Sequence, residues 1–381
     1  MPISFAYPCL VDGWHTKPFA QPIAAAYPPR DGRVNARLAA YHLWPAMTTI
    51  RDVAERAGVS TTTVSHVING TRKVEAATSA RVEAAINELG YRPNALARSM
   101  RRGRTHTVGL VIPDIANPFF GDLARSVEDH MFEAGYSAII CNSDGDLAKE
   151  ARYLDVLLSK QVDGLLLVAA SQPSEGLIEL VERGTPTIVV DRELGHLSVS
   201  QVLVANRQGG YLAGQHLLEL GHRHIGVIAG PGGLGTSARR LEGFEAALAD
   251  AGVALPATRV FRGDFRAASG RAAMDGWLQT SEPPTAVFAE NDLMAIGALS
   301  AAHAAGVDMP AEISVVGFDG IAFGADVTPP LTTVSQSIED MASAAIELLF
   351  ERIRDEGAAS RSVELPVTLT VRGTSAPPLS G

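Results

Sequence analysis

The segment 50–69 constrains the fold most strongly, because two short amphipathic helices are expected to meet in it at a glycine. Apolar residues recur at helical spacing in its first half, and Gly58 can then adopt a backbone conformation that other residues avoid. Ser60 offers a hydroxyl to the free N–H groups of a second helix. The apolar residues that this second helix is expected to bury are Val64, Val67 and Ile68. Such an arrangement is typical of a helix-turn-helix.

A third segment of helical periodicity, 79–89, supplies the helix needed to close a small three-helix core. The second helix leaves a face of hydroxyls and one imidazole exposed, and such a face suits base edges and phosphates in the major groove of DNA. An ordinary helical hairpin with a polar face would show the same pattern. The helix pair leaves both interpretations open, and the motifs around it favour DNA binding.

Five short motifs in and after these helices resemble those of the lactose/galactose repressor family of bacterial transcription regulators. They are IRDVA (50–54), AGVS (57–60), VSHVING (64–70), GYRPN (90–94) and ARS (97–99). The resemblance extends from about Met47 to Arg372, and the second helix is most similar to the recognition helix of the purine repressor branch. It implies a DNA-binding domain, a hinge helix with its linker, an effector-binding and dimerisation domain of two lobes, and a tail. The corresponding ranges are 47–92, 93–106, 107–372 and 373–381.

The net charge of −10 is divided unevenly along the chain. Residues 47–106 carry a net charge of +5 and residues 1–46 a net charge of +2, whereas residues 107–381 carry −17. A basic head and an acidic body indicate that the protein contacts phosphate at one end only. With two cysteines and no run of 18 apolar residues, the chain is predicted to be cytoplasmic, without a disulfide framework or a membrane span.

Residues 1–46 are predicted to be disordered or to lie upstream of the native start of translation. Prolines interrupt every apolar run in this segment, and no continuous hydrophobic stretch follows a basic start, as a signal peptide requires. Family members commonly begin a few residues before the first helix, which is where Met47 lies.

The segment 94–100 is long enough for barely two helical turns, and helices shorter than about 12–15 residues are marginal in water. By resemblance it is the hinge helix, which pairs with that of a second subunit in the minor groove and opens a base step. Met100 stands where leucine is usual, and methionine is also able to act as a wedge. A plain linker is the alternative interpretation.

The resemblance assigns base-edge contacts to the second helix, phosphate contacts to residues around the head, and minor-groove contacts to the hinge. The DNA-binding candidates are Thr49, Thr61, Thr62, Thr63, Ser65, His66, Asn69, Arg72, Tyr91, Ala97, Arg98, Met100 and Arg101. Among them Thr61, Thr62 and His66 are the candidates for base edges, and Thr49, Arg72 and Tyr91 are the candidates for phosphate contact. Two symmetric heads would place recognition helices in successive major grooves of a palindromic operator.

From Thr107 onward, apolar strands alternate with helices, which predicts doubly wound parallel sheets. Roughly 265 residues are too many for one such sheet and suit two lobes. The predicted fold is therefore a small all-α helix-turn-helix head followed by an α/β body. The resemblance implies that this body is similar to periplasmic binding proteins, with chain crossovers between the lobes near Ala205, Val334 and Pro366.

Polar and aromatic residues follow the predicted strands at their carboxyl ends, where open parallel sheets bind ligands. The candidates for effector binding are Phe119, Phe120, Asp191, Arg192, Thr236, Arg240, Phe265, Asn291 and Asp319. By resemblance, Asp191, Arg240, Asn291 and Asp319 match effector-binding positions of the family. Carboxylates, an amide and a guanidinium provide the hydrogen bonds that a polyol needs, while an aromatic ring can stack on a sugar. Leu234 stands where the purine repressor has an arginine for its base. The predicted effector is therefore a sugar or sugar derivative.

Several residues have simpler interpretations. A strand-end aspartate such as Asp191 or Asp319 often caps the following helix, and Asp292 resembles a helix N-cap more than a ligand group. The glycine-rich loop 230–235 lacks the Gly-Lys-Ser/Thr of a nucleotide-hydrolysing site. The histidines of 222–224 are predicted to lie in a solvated turn and not to bind metal.

The sequence thus predicts a homodimeric, ligand-responsive repressor of catabolic or transport genes, without cofactor or metal and without enzymatic activity. The helix that makes some relatives tetramers is not expected in the tail. A periplasmic solute-binding protein is one alternative, but it would need a signal peptide and no basic head. A sugar-acting enzyme is another, because the cleft carboxylates could in principle supply an acid and a base.

Overall fold

The computed structural model describes residues 48–92, 104–168, 173–194, 197–355 and 357–379. The predicted extension 1–46 and the hinge candidates Ala97, Arg98, Met100 and Arg101 lie outside these residues. The chain divides into two compact units, Met1–Asn94 and Ala95–Gly381. The first is the head and the second is the body.

The head consists of three helices, α1 (Ile50–Ala57), α2 (Thr61–Asn69) and α3 (Ala76–Leu89). The third begins three residues earlier than the periodicity predicts. The buried residues of its core are Val53, Ala54, Ala57, Val64, Val82 and Ala85. Val67 and Ile68, predicted to be buried, are only half-buried at the edge of this core.

Local hydrogen bonds begin and end these short helices as the sequence suggests. The Ser60 hydroxyl accepts from the Thr63 N–H at 3.1 Å and caps α2. Thr49 caps α1 in a reciprocal pair, because the Asp52 carboxylate accepts from the Thr49 N–H at 2.7 Å. Gly58 ends α1 at a φ of +64°, a left-handed conformation that glycine adopts without strain.

The first lobe of the body is built on a six-stranded parallel sheet of order β11-β5-β4-β3-β1-β2. Its strands are β1 (Thr107–Ile112), β2 (Ser137–Asn142), β3 (Gly164–Leu167), β4 (Thr187–Val190), β5 (Ser200–Val204) and β11 (Ser362–Leu365). Its helices are α4 (Pro118–Glu133), α5 (Leu147–Ser159), α6 (Glu175–Glu182) and α11 (Ile338–Arg354).

The second lobe has a sheet of order β12-β10-β9-β8-β6-β7, in which only β12 runs antiparallel to its neighbour. Its strands are β6 (Ile225–Ala229), β7 (Val260–Arg262), β8 (Ala286–Ala289), β9 (Ser314–Asp319), β10 (Thr332–Gln336) and β12 (Val367–Thr370). Its helices are α7 (Asn206–Glu219), α8 (Gly235–Asp250), α9 (Ala267–Leu278) and α10 (Asp292–Ala304), with short 3₁₀ turns at Ala257–Arg259 and Ala322–Ala325.

The chain passes between the lobes three times. It leaves the first lobe after β5, returns between β10 and α11, and leaves again between β11 and β12. The first and third crossings lie at Ala205 and Pro366, as the resemblance implies, and the second lies at Ser337, three residues after the predicted position. Central strands such as β3, β4, β6 and β8 are buried at every residue, because helices cover both faces of each sheet.

The prediction that the 222–224 segment is a solvated turn is wrong for His222, whose side chain is buried. Its Nε2 lies 2.9 Å from the Ala376 carbonyl oxygen and its Nδ1 lies 3.0 Å from the Thr285 hydroxyl. The residue therefore fastens the segment after β12 to the second lobe. Burial lowers the pKa of this imidazole.

Candidate functional site

The exposed face of α2 is the candidate nucleic-acid interface of the head. Thr61 and Thr62, in the first turn of α2, are exposed. His66, one turn further on, is half-buried, and its Nδ1 lies 2.8 Å from the Thr71 hydroxyl. An N-terminal turn with exposed hydroxyls, followed by an oriented imidazole, is a geometry able to read base edges.

The remaining α2 candidates are engaged within the helix. The Thr63 hydroxyl lies 2.9 Å from the Ser60 hydroxyl, and the Asn69 side-chain amide donates to the Ser65 carbonyl oxygen at 2.7 Å. These residues are half-buried, except the exposed Ser60. Their first role is to stabilise the helix, and any DNA contact would have to share these groups.

The three candidates for phosphate contact lie at different places in the head. Thr49 is exposed, but its hydroxyl is part of the cap of α1, because it donates to the Asp52 carboxylate at 2.8 Å. Arg72 is exposed just after α2. Tyr91 is half-buried against the head core, and its N–H donates to the Ile86 carbonyl oxygen at 3.0 Å.

All nine predicted effector residues line one cleft in the body. The first lobe contributes Asn117, Phe119, Phe120, Asp191 and Arg192, and the second lobe contributes Thr236, Arg240, Phe265, Asn291 and Asp319. Asn117, the tenth residue of this lining, caps α4 by accepting from the Phe119 N–H at 3.1 Å. The carboxyl ends of both sheets therefore meet at this cleft.

Arg240 on α8 is the most connected side chain in the cleft. Its Nε donates to the Asn206 side-chain oxygen at 2.8 Å, and its Nη1 donates to the Glu290 carbonyl oxygen at 2.5 Å. The same Nη1 lies 3.4 Å from the Asp319 carboxylate, and the guanidinium packs 3.7 Å from the centre of the Phe318 ring. These contacts fix the guanidinium in one orientation.

Asp319 ends β9 with a φ of +111°, a conformation that side chains rarely adopt. Its Oδ1 accepts from the Gln336 amide at 2.8 Å. Burial raises the pKa of this carboxyl well above its usual range, and the nearby Asp292 and Asp191 raise it further, while Arg240 opposes the shift. No side-chain cap joins it to the following 3₁₀ turn, so the simpler interpretation of Asp319 as a helix cap is wrong.

Asp191 and Arg192 are buried side by side after β4, and their side chains form an ion pair. The described residues between β4 and β5, 191–194 and 197–199, contain no helix that Asp191 caps. Three polar groups at this cleft are buried without a hydrogen-bond partner. They are Asp191 Oδ1, Arg192 Nε and the Thr236 hydroxyl. Because such groups are costly to leave unpaired, they mark the positions where a polar ligand would be held.

The prediction that Asp292 is the N-cap of its helix is wrong. Asn291 caps α10 by accepting from the Met294 N–H at 3.0 Å, and its amide donates to the Phe265 carbonyl oxygen at 3.0 Å. Asp292 is buried and accepts from the N–H groups of Gly320 and Ile321, both at 2.8 Å. It thereby holds the turn that follows Asp319.

Phe265 is half-buried, with a φ of +64°, and its ring packs directly over Gly230. A Cβ atom at position 230 would lie 2.3 Å from the ring, so a larger residue there would displace Phe265. Leu234, by contrast, lines a separate pocket with Gly232 and Gly233 and not the cleft. The loop 230–235 therefore supports an aromatic ring in place of a phosphate.

Sequence reasoning missed Glu290, which lies behind the cleft at the end of β8 and is fully buried. Its Oε2 accepts from the Gly230 N–H at 2.7 Å and from the Ser237 hydroxyl at 2.5 Å. Burial raises the pKa of this carboxyl to about 7. Its position directly before the predicted Asn291 was the only signal in the sequence.

Two ion pairs join the lobes at the edges of the cleft. Asp114 of the first lobe lies 3.5 Å from Arg266 of the second, and Glu193 of the first lies 3.6 Å from Arg239 of the second. All four side chains are partly exposed, so each pair is screened by solvent. Both pairs would separate if the lobes moved apart.

The described residues contain no group of three or more histidine, cysteine, aspartate or glutamate side chains arranged to hold a metal ion. None of the helices in this part of the chain has the length and apolar character needed to cross a membrane.

The sequence and the fold have well-defined relatives. Residues 49–94 match the bacterial regulatory proteins of the lacI family, and residues 215–375 match the periplasmic binding protein-like domain. The HTH-type transcriptional repressor PurR of Aliivibrio fischeri (strain MJ11) is 41% identical over 332 residues, which are 86% of this chain and 98% of that protein.

Solved structures agree with this result. The transcriptional regulator CelR in complex with cellobiose is 36% identical with a TM-score of 0.66, and the alignment covers 86% of this chain and 99% of that one. The lac repressor dimer bound to operator and an anti-inducer is 28% identical with a TM-score of 0.78, at the same coverage.

A helix-turn-helix unit followed in the chain by a two-lobed sensor defines a ligand-responsive, DNA-binding transcriptional repressor. The chain belongs to the lacI family of bacterial regulatory proteins. The predicted similarity to the purine repressor branch and the predicted fold class are both confirmed.

Proposed function

We propose that this repressor binds a palindromic operator as a homodimer and responds to a sugar or sugar derivative that occupies the body cleft. The regulated genes would serve uptake or breakdown of that compound. In this scheme 47–92 form the DNA-binding domain, 93–106 the hinge and 107–372 the effector-binding and dimerisation domain, and the chain has no enzymatic activity.

The observation that carries the effector proposal is the convergence of nine predicted residues on one cleft. Aromatic rings from both lobes and unpartnered polar atoms at Asp191, Arg192 and Thr236 suit a ring-shaped, hydroxyl-rich ligand. Cellobiose and ribose are bound by two relatives of similar fold. A purine is less well supported, because Leu234 replaces the base-binding arginine and lies outside the cleft lining.

Asp319→Ala tests the effector proposal. The purified chain is first screened for thermal stabilisation by cellobiose, ribose, other neutral sugars, sugar phosphates and hypoxanthine, because a ligand of the native state raises the midpoint. The variant is expected to lose the response to the active compound and to keep its operator affinity. A variant that responds normally would remove Asp319 from the site, and a response to hypoxanthine alone would refute the sugar proposal.

The DNA-binding proposal depends on the exposed first turn of α2 with Thr61 and Thr62. Selection of duplexes from a random library, with and without the active sugar, is expected to recover an inverted repeat with half-sites about one helical turn apart. Equal binding to all duplexes, with and without small molecules, would contradict a sequence-specific function.

A further inference from the structure

Glu290 joins three parts of the second lobe at a point just behind the cleft. Its carboxylate oxygen Oε2 accepts hydrogen bonds from Gly230 after β6 and from Ser237 on α8. Its backbone carbonyl accepts from the Arg240 guanidinium, and the residue directly follows β8. One fully buried side chain thus connects β8, the glycine-rich loop and the first turns of α8.

Each of these contacts supports a group that faces the cleft. Gly230 forms the surface on which the Phe265 ring rests, and Ser237 follows Thr236, whose unpartnered hydroxyl lines the cleft. Arg240 itself lines the cleft. The adjacent Asn291 also holds Phe265, because its amide donates to the Phe265 carbonyl oxygen at 3.0 Å.

Burying a carboxylate is unfavourable, and the contacts of Glu290 only partly compensate for it. Its Oε1 is buried without a hydrogen-bond partner, and the basic groups facing it are Arg240 on α8 and Arg262 on β7. An apolar residue would fill this interior position without that penalty. The two hydrogen bonds accepted by Oε2 are therefore the feature that distinguishes glutamate here.

We propose that Glu290 is a positioning residue of the effector site, which holds the 230–237 backbone so that Phe265, Thr236 and Arg240 face the ligand together. This inference rests on the proposed effector function of the cleft. Glu290 does not contact the ligand itself, because it is not among the cleft-lining residues. Its effect on binding is exerted through the loop and through α8.

The proposal predicts a difference between two substitutions. In Glu290→Gln the amide oxygen can accept the same two hydrogen bonds, while the amide nitrogen occupies the place of the unpartnered Oε1. Glu290→Ala loses both bonds and leaves Gly230 N–H and the Ser237 hydroxyl without their acceptor. Ser237→Ala removes one of the two bonds and leaves the carboxylate intact.

Hydrogen–deuterium exchange of the full chain without ligand tests positioning directly. In Glu290→Ala, peptides covering 230–241 are expected to exchange at least about tenfold faster, in keeping with the loss of buried hydrogen bonds. Glu290→Gln should exchange within about twofold of the wild type, and Ser237→Ala should lie between them. Glu245→Ala is the matched control, because Glu245 is an exposed glutamate on α8, the helix that carries Ser237. If Glu290→Ala does not fold, Ser237→Ala still tests the proposal, because exchange in 230–241 should then be faster than in the wild type.

Isothermal titration with cellobiose, on the same proteins and on Asp319→Ala, separates the two proposals. Glu290→Ala is expected to bind about tenfold more weakly, and Glu290→Gln about as tightly as the wild type. If Asp319→Ala loses binding while Glu290→Ala retains both wild-type affinity and wild-type exchange, the positioning role is overturned and the effector site stands. A glutamine variant that behaves like alanine would also overturn it.

If the wild-type chain does not bind cellobiose, that sugar is not the effector. The exchange comparison then decides the role of Glu290. If exchange is faster evenly over the second lobe, without a maximum at 230–241, then Glu290 is a general core residue. That result would contradict its proposed positioning role.

Discussion

Burial raises the pKa of the Glu290 carboxyl to about 7, from 4.5 in an unfolded chain. A carboxyl with a raised folded-state pKa stabilises the fold when protonated. That contribution is fully present below pH 4.5 and is lost as the pH rises through 7. Arg240 and Arg262 face the group and moderate the shift without reversing it.

Glu290→Gln should therefore remove one source of pH dependence from folding. Relative to the variant, the wild type is expected to lose up to about 3 kcal/mol of unfolding free energy between pH 4.5 and 8. Denaturant unfolding of both proteins across this range measures the difference. A difference that stays constant with pH would show that Glu290 does not titrate in this window.

His66 is the residue of α2 for which we expect a base-specific effect. His66→Ala removes the imidazole that Thr71 orients, and it should relax the base preference at one operator position at a cost of about 1–3 kcal/mol. Binding is measured across single-base operator variants, with Arg81→Ala on α3 as the control. An unchanged binding profile would remove His66 from the contacting set.

The strand-end rule and the family resemblance together predicted nine cleft residues, because parallel strands bring their carboxyl ends to one edge. Glu290 and Gln336 also stand at strand ends, but they belong to no motif that would distinguish them, and neither lines the cleft. The rule also could not reveal that Asn291 and not Asp292 caps α10, because two adjacent polar residues at a helix start are equivalent in sequence.

At the scale of elements, the close crossing of α7 and α8 places Arg240 in the cleft. A Cβ atom on Gly210 of α7 would lie 1.9 Å from the Arg240 carbonyl oxygen, and one on Gly243 of α8 would lie 1.8 Å from that of Arg207. Glycines on both helices thus allow backbone to pack against backbone. Arg240 comes from this contact region of α8.

Gly210→Ala should force the two helices apart. We expect lower stability, by about 1–3 kcal/mol or more for an overpacked position, and weaker effector binding because Arg240 shifts. Thermal unfolding and sugar titration measure both effects. Gly276→Ala on α9, where an added Cβ meets nothing within 4 Å, is the matched control and should be neutral or slightly stabilising. Equal behaviour of the two variants would contradict the crossing argument.

Element prediction succeeded where apolar runs were continuous and missed the edge strand β11. The buried strands β3, β4 and β8 are continuous apolar runs, and they were predicted. The edge strand β11 alternates in exposure and contains Glu364, so it has no such signature. That α11 returns to the first lobe is a long-range property, and no local pattern in 338–354 carries it.

At the scale of the molecule, two ion pairs oppose separation of the lobes. They are Asp114–Arg266 and Glu193–Arg239. Exposed pairs of this kind contribute roughly 0–1 kcal/mol each and weaken with salt. Their influence is therefore on the balance between an open and a closed cleft, and not on the stability of either lobe.

Arg266→Glu should replace an attraction by a repulsion and reduce sugar affinity by several-fold to about tenfold at low salt, with a smaller effect at high salt. Adding Asp114→Lys should restore much of the affinity. Arg271→Glu, whose arginine bonds Ser300 within its own lobe, is the control. Titrations at two ionic strengths test this, and a salt-independent loss that the second change does not rescue would contradict it.

The three crossings at Ala205, Ser337 and Pro366 also determine how this molecule can be taken apart in the laboratory. Neither lobe is a continuous stretch of the gene, since α11 and β11 of the first lobe are encoded between strands of the second. Cloning a single fragment would therefore yield an incomplete sheet with a missing edge strand. Isolating one lobe requires a rewired chain, in which a short designed linker joins β5 directly to α11.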